Sequence, residues 1–243
     1  MKIMALGTGA LSAKALSPSF LIDNEILIDC PNGIIKRMRN HEIDFQKIKI
    51  VIISHFHGDH DWDMPFLLRE YNRGQKRTEP LTLIAPLGAM DRYKTLYTLA
   101  LPEDNLDTIY ENAKLNVIEI SDKELRKPFI ICDYKIYVYK MSHGGIAAYG
   151  FRIEKDTNSI AFTCDSIMCD NVLKVIQNAK IAFVDITNLE KSRIHMGIED
   201  LEILKAKFPN CKVFPVHMTD NTLEELIKRG YEVPQDGDVF NIV

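Results

Sequence analysis

Nowhere does the chain approach the roughly eighteen consecutive apolar residues that a membrane-spanning helix requires. Its opening, Met1 to Leu6, is interrupted by Gly7 and Gly9 before a secretory leader could form. A cytoplasmic protein without a membrane role is therefore expected. Cysteine is scarce: the five, Cys30, Cys132, Cys164, Cys169 and Cys211, are odd in number and irregular in spacing, which excludes a disulfide framework. No stretch rich in proline, glycine or serine divides the 243 residues, and no internal repeat stands out, so a single domain over 1–243 is expected. Charge of one sign is lacking too, because 30 Lys and Arg against 34 Asp and Glu leave −4, which gives nucleic acid no global attraction.

What is present is an ordinary globular composition, 46% hydrophobic, with its apolar residues arranged in short runs. Lys2–Leu6, Ser19–Leu21 and Ile26–Asp29 read as a β meander around tight turns. Ile48–Ser54 is too continuously β-branched for a surface element and reads as a central strand. Further strands are expected at Leu81–Ala85, Lys114–Ile120, Phe129–Met141, Tyr149–Ile153, Ser159–Cys164, Ile181–Asp185 and Lys212–Val216. Helices are expected at Gly33–Asn40, Asp63–Tyr71, within Leu87–Ala100, and at Asn171–Ala179, Ile198–Lys207 and Leu223–Arg229. Two sheets inside and helices outside follow from that alternation.

The strongest chemical signal follows the central strand directly. Ser54-His55-Phe56-His57-Gly58-Asp59-His60-Asp61 holds three of the seven histidines and two carboxylates in one short window. Imidazole and carboxylate are suitable ligands for zinc or manganese, and a tight loop can aim His55 and His57 at one ion while Asp59 and His60 address a second. Remaining ligands should be isolated polar residues at the ends of apolar strands. His143, Asp165 and His217 meet that description, Asp165 as a bridge, His143 completing the first site and His217 the second.

On these residues the chain resembles the metallo-β-lactamase fold superfamily of hydrolases over nearly its whole length. The signature His-x-His-x-Asp-His stands as His55, His57, Asp59 and His60, and the pattern continues with residues matching His143, Asp165 and His217. The resemblance implies an α/β fold, a four-layered αββα sandwich of the metallo-β-lactamase type. Gly7-Thr8-Gly9, Asp165-Ser166, His195 and His217-Met218-Thr219 resemble the branch containing tRNA 3′-processing endonucleases and the cyclic-phosphate phosphodiesterase of phosphonate metabolism. In that branch a histidine matching His195 sits near the metals and assists the leaving group. Two features depart from the branch: His195 is followed by Met196-Gly197 rather than a hydroxyl residue and threonine, and no Gly/Pro-rich tRNA-gripping arm is found.

The expected function is a dinuclear metal-dependent phosphodiesterase acting on a small or cyclic phosphodiester. Two divalent cations about 3.5–4 Å apart, zinc ahead of manganese or iron, would hold a bridging hydroxide as the nucleophile. Asp59 would ligate metal and restrain the attacking water, and His195 would serve the departing oxygen as catalytic residues. The alternatives are a carboxyl-ester, lactone or thioester hydrolase, a tRNA or nucleic-acid 3′-processing nuclease, and a non-catalytic metal-binding protein. Short nucleic acid stays open as a partner, and a homodimer is compatible with the sequence, which locates no interface. Asp61 is read equally as orienting a ligand histidine or as solvating the loop. Trp62 is read as packing in preference to stacking on a base, and Tyr93, Tyr97 and Tyr110 as candidates for a recognition surface. Arg69, Arg73, Lys76 and Arg77 form the densest positive cluster, and Cys164 reads as a buried strand residue.

Overall fold

The computed structural model of the protein describes residues 1–73, 77–121, 125 and 127–242, the side chains of 72 and 73 excepted. In the N-terminal half, β1 (Lys2–Gly7), β2 (Ser19–Ile22) and β3 (Ile26–Ile28) form the expected meander. They are followed by α1 (Ile34–Asn40), β4 (Ile50–Ile52), a single helical turn α2 (Gly58–Asp61) and α3 (Met64–Arg73). After these come β5 (Leu81–Pro86), α4 (Ala89–Ala100), α5 (Leu106–Ala113) and β6 (Leu115–Ile120). The C-terminal half contributes β7 (Phe129–Ile131), β8 (Tyr134–Lys140), β9 (Tyr149–Lys155), β10 (Asn158–Phe162) and α6 (Asp170–Ile176). It continues with β11 (Ile181–Asp185), α7 (Ile198–Lys207), β12 (Lys212–Val216), α8 (Asp220–Lys228) and β13 (Val239–Asn241).

Among the described residues the strands make two sheets, ordered β13-β1-β2-β3-β4-β5-β6 and β12-β11-β10-β9-β8-β7. The continuous apolar runs of the sequence arise where strands are buried on both faces, as in β2 to β5 and β11. In β3 and β4, Ile26, Ile28, Ile50 and Ile52 face the second sheet and join Phe151, Phe162, Phe183 and Phe214 in the central core. Their neighbours Leu27, Val51 and Ile53 point the other way, onto Ile34, Met38, Leu67 and Tyr93 of the outer helices, as the two-residue period of a strand requires. On the far side, Ala161, Ala182, Val184 and Val213 of the second sheet pack under Val172, Val175, Leu201 and Leu226. The layers are therefore helix, sheet, sheet, helix.

Three elements differ from expectation. Phe129–Met141 is not one strand but the antiparallel hairpin β7–β8, turned at Cys132, whose φ of 51° is left-handed. Helix α5 lies in a segment read as closed by Pro102; the Asn105 side chain caps it by accepting from the backbone N–H groups of Asp107 and Thr108. Strand β13 pairs antiparallel with β1, too short for its pattern to show. No described helix is long and apolar enough to cross a membrane.

Candidate metal centre

Six of the seven histidines meet at one end of the sandwich, where the strand ends of both sheets come together. His55 and His57 stand two apart on extended chain after β4, so both rings point the same way, and their ring nitrogens lie 3.0 Å apart. At Gly58 the backbone turns into α2, which re-aims Asp59 and His60. Two groups result: His55, His57, His143 and Asp165 in one, and Asp59, His60 and His217 in the other. Asp165 stands between them, with Oδ2 at 3.7 Å from both His55 and His143 and 3.5 Å from His217, and Oδ1 at 3.5 Å from His60. His195 joins Asp165 and His217 in a third overlapping group.

Left-handed backbone at strand ends accomplishes much of this aiming. Asp29 after β3, Cys164 beside Asp165 and His217 after β12 have φ of 54°, 50° and 60°, an uncommon region for non-glycine residues that holds only where the surroundings enforce it. At His217 the brace is its own N–H donating to the Thr8 carbonyl at 2.7 Å. The Gly7-Thr8-Gly9 turn is thus a structural support: a Cβ at Gly7 would lie 2.1 Å from the Ser17 carbonyl oxygen.

Whether the donor set fits cations is decided by the outer nitrogens of the rings. His60 Nδ1 donates to Asp29 Oδ2 at 2.8 Å and His143 Nδ1 to the Ile194 carbonyl at 2.9 Å. His195 Nδ1 donates to Asp185 Oδ2 at 2.8 Å. The Ser54 hydroxyl spends its proton on Asp29, so it accepts from His55 Nδ1 at 3.0 Å. The Thr187 hydroxyl likewise spends its proton on Asp185 and accepts from His217 Nδ1 at 2.7 Å. In His55, His60, His143 and His217, taken neutral, the inner Nε2 is consequently a bare lone pair turned toward Asp165. His60 Nε2 is buried and has no hydrogen-bond partner at all. Apart from His57 Nδ1, 3.0 and 3.2 Å from His55 and His143 Nε2, no donor among the described residues stands between these lone pairs and carboxylates, which repel unless a cation or protons sit among them, so the residues fit two cations.

The electrostatics agree. Burial opposes charge on His60 and His217, yet Asp165 beside both, with Asp29 on His60 and Asp59 and Asp185 on His217, raises their proton affinity above the ordinary imidazole value. Burial alone would raise the Asp165 carboxyl, but the imidazoles of His217 and His60 hold it well below the usual carboxylate range. His55 is pushed the other way, chiefly by burial and then by His60. Proton affinity is thus raised in the His60–His217 group and lowered at His55 and His57.

Asp29 and Asp185, read from sequence only as strand ends, are the residues that reasoning missed. Their one signal was a carboxylate closing an apolar run. Asp61 does neither of the things expected of it: it is buried and accepts from Nε and Nη2 of Arg92 and from the Tyr93 hydroxyl, while Asp29 orients His60. Tyr93 and Tyr97 are buried and form no recognition surface. The positive cluster dissolves as well. Arg77 is buried and donates to the carbonyls of Phe45, Gln46, Ile48 and Glu79, Arg69 pairs with Asp104, and Lys76 and the Arg73 side chain lie outside the described residues. Cys164 sits past the end of β10, half-buried, with its thiol pushed up by burial.

A cleft of about 1060 Å³ opens onto the centre, walled by residues 10–17, by Trp62 and by the loop that carries His195. That loop folds back tightly enough that a Cβ at Gly197 would lie 2.5 Å from the Lys191 amide nitrogen. The close approach accounts for the glycine two residues after His195. Between Asp165 and His195 the chain is taken up by α6 and β11, without a projecting arm.

A family model described as "Anti-Pycsar protein Apyc1" matches residues 1–232. The chain belongs to the Apyc1 family. It is 29% identical over 236 residues to a ribonuclease Z of Sulfolobus acidocaldarius, covering 79% of this chain and 77% of that one. To a ribonuclease Z of Agathobacter rectalis it is 33% identical over 131 residues, 54% of this chain but 39% of the relative. Among solved structures it superposes on the metallo-β-lactamase fold protein YhfI from Bacillus subtilis with a TM-score of 0.78 at 16% identity, covering 98% of each chain. On the short form of human tRNase Z the TM-score is 0.76 at 18% identity, covering 100% of each chain. The fold of this Apyc1-family chain is the metallo-β-lactamase sandwich.

Proposed function

We propose that this Apyc1-family protein is a dinuclear metal-dependent phosphodiesterase acting, as one domain over 1–243, on a small or cyclic phosphodiester. His55, His57, His143 and Asp165 would hold one cation, and Asp59, His60 and His217 with Asp165 the other. Zinc suits the imidazole-rich set ahead of manganese or iron. When bound, two such ions supply a nucleophile at neutral pH and neutralise charge developing on a phosphoryl group.

The observation that carries the reading is the His195–Asp185 pair. Asp185 Oδ2 accepts from His195 Nδ1 at 2.8 Å, and the same carboxylate accepts from the Ser166 N–H and the Thr187 hydroxyl, so it cannot swing away. It fixes the ring with Nε2 as the free nitrogen and offsets the charge of the protonated imidazole. A protonated Nε2 at the cleft wall can deliver its proton to a departing alkoxide. Asp59, partly buried, has its Oδ2 3.4 Å from His217 Nε2 and would hold the attacking water. Among the described residues that line the cleft, Lys14 and Arg193 are the only Lys or Arg, and Arg193 makes no ion pair with the described residues, which leaves it for a substrate anion.

The test is His195→Ala in metal-reconstituted protein. Diester turnover should fall about 10²- to 10⁴-fold with metal content unchanged. Turnover near that of the parent protein would end the assignment of His195 to the leaving group.

A further inference from the structure

Trp62 is the chain's one tryptophan, and its surroundings differ from those of a packing residue. It is 59% exposed and lines the cleft beside Gly58, Asp59 and His57. A Cβ built on Gly58 would lie 2.4–2.8 Å from three atoms of the indole. The ring therefore lies on the bare backbone of the metal-ligand loop, in space that only glycine leaves. One side of the indole is supported there while most of the side chain stays open to the cleft. Neutral polar side chains, among them Asn32 and Ser12, line the same cleft.

We infer that Trp62 is a specificity-determining platform on which a planar ring carried by the phosphodiester stacks while its phosphoryl group lies at the metal ligands. The inference rests on the reading of the site given above and adds to it the chemistry of the substrate's substituent. An indole suits this role because its face attracts flat π systems with little demand on their edge pattern. A supported ring also has little side-chain freedom left to lose on binding.

Because no other tryptophan contributes to the emission, intrinsic fluorescence reports on the platform without any turnover. The probes are phenyl phosphate, a nucleoside monophosphate and methyl phosphate, titrated against the full chain before and after zinc reconstitution. Both ring-bearing probes should change Trp62 emission saturably, and methyl phosphate should not. A change with phenyl phosphate alone would assign the platform to simple aryl groups, and a larger one with the nucleotide to bases. In steady state, Trp62→Ala should raise KM for an aryl diester at least about fivefold relative to any change in KM for dimethyl phosphate, with metal content retained. Trp62→Phe should recover most of the loss. Emission unmoved by every probe, or equal KM values in Trp62→Ala and the parent protein, would overturn the inference. A saturable emission change in a protein that cleaves no diester would keep the platform and remove the reaction assigned to the site.

Discussion

At the scale of single residues, the chemistry is set by what stands behind each imidazole. Asp29 accepts from His60, from the Ser54 amide and from the Ser54 hydroxyl that in turn receives His55. One carboxylate thereby orients two ligand rings belonging to different groups. Asp29→Asn, which loses the charge and part of the acceptor capacity, should weaken metal binding about 10- to 100-fold, read as the chelator concentration that strips half the metal. Asp185 orients His195 directly and His217 through Thr187. Asp185→Asn should lower kcat about 10²-fold with a smaller change in metal content, and should alter the kcat pH profile because the ring's preferred tautomer is lost. An unchanged profile would show that Asp185 only packs. These two aspartates mark the limit of legibility at this scale. That these histidines and Asp165 would meet was readable because a histidine or aspartate immediately past an apolar strand, repeated at several strand ends, marks side chains brought to one place. Their supports were not, since a carboxylate ending a strand looks the same whether it faces solvent or a buried ring.

At the scale of elements, the runs around Ile26–Ile28 and Ile50–Ile52 were legible as strands, since a β-branched run buried on both faces has no surface pattern to confuse it. What failed was the hairpin β7–β8, whose turn rests on a left-handed Cys132, and α5, whose Asn105 cap was present but overshadowed by Pro102. Trp62 belongs with these failures: a helix with Phe66, Leu67 and Leu68 following suggested packing, yet α2 ends at Asp61 and leaves the indole outside. The wall formed by residues 10–17 is likewise invisible in the sequence, for it is secured from the far end of the chain. Asp236 accepts from the Thr8 hydroxyl, the Leu16 amide and the Arg37 guanidinium, and it lies beyond the 1–232 span of the family match. Asp236→Ala should leave these donors without their acceptor and cost about 1–3 kcal/mol. Amide exchange should accelerate locally at Leu16; exchange that speeds up uniformly would mean that the tail stabilises the fold without holding the wall.

At the scale of the whole molecule, both sheets supply residues to the two clusters, so a cation bound there would tie together two halves that otherwise meet through the central core. Chelation should lower the midpoint of thermal unfolding and reconstitution should restore it in a concentration-dependent way. The sign of the pH dependence follows from the raised proton affinity of His60 and His217. Without cations these rings bind protons more tightly than an ordinary imidazole; loading expels the protons they hold, so metal affinity should increase as pH rises through the imidazole range. Calorimetry in buffers of different ionisation enthalpy should register proton release on loading. The same raised values mean that metal-free protein loses stability as pH climbs above them, because the stabilising protons leave, while the loaded protein is insensitive over that window. Equal pH dependence of the two forms would contradict the exchange of protons for cations at these rings.

The dinuclear phosphodiesterase chemistry is decided by hydrolysis of bis(p-nitrophenyl) phosphate by chelated protein reconstituted separately with zinc, manganese and iron, with bound metal counted in parallel. Cleavage should appear only with metal and saturate at about two ions per chain. Two ions bound with no cleavage under any of the three metals would contradict it, and would turn attention to lactones and thioesters or to a metal-binding protein without turnover.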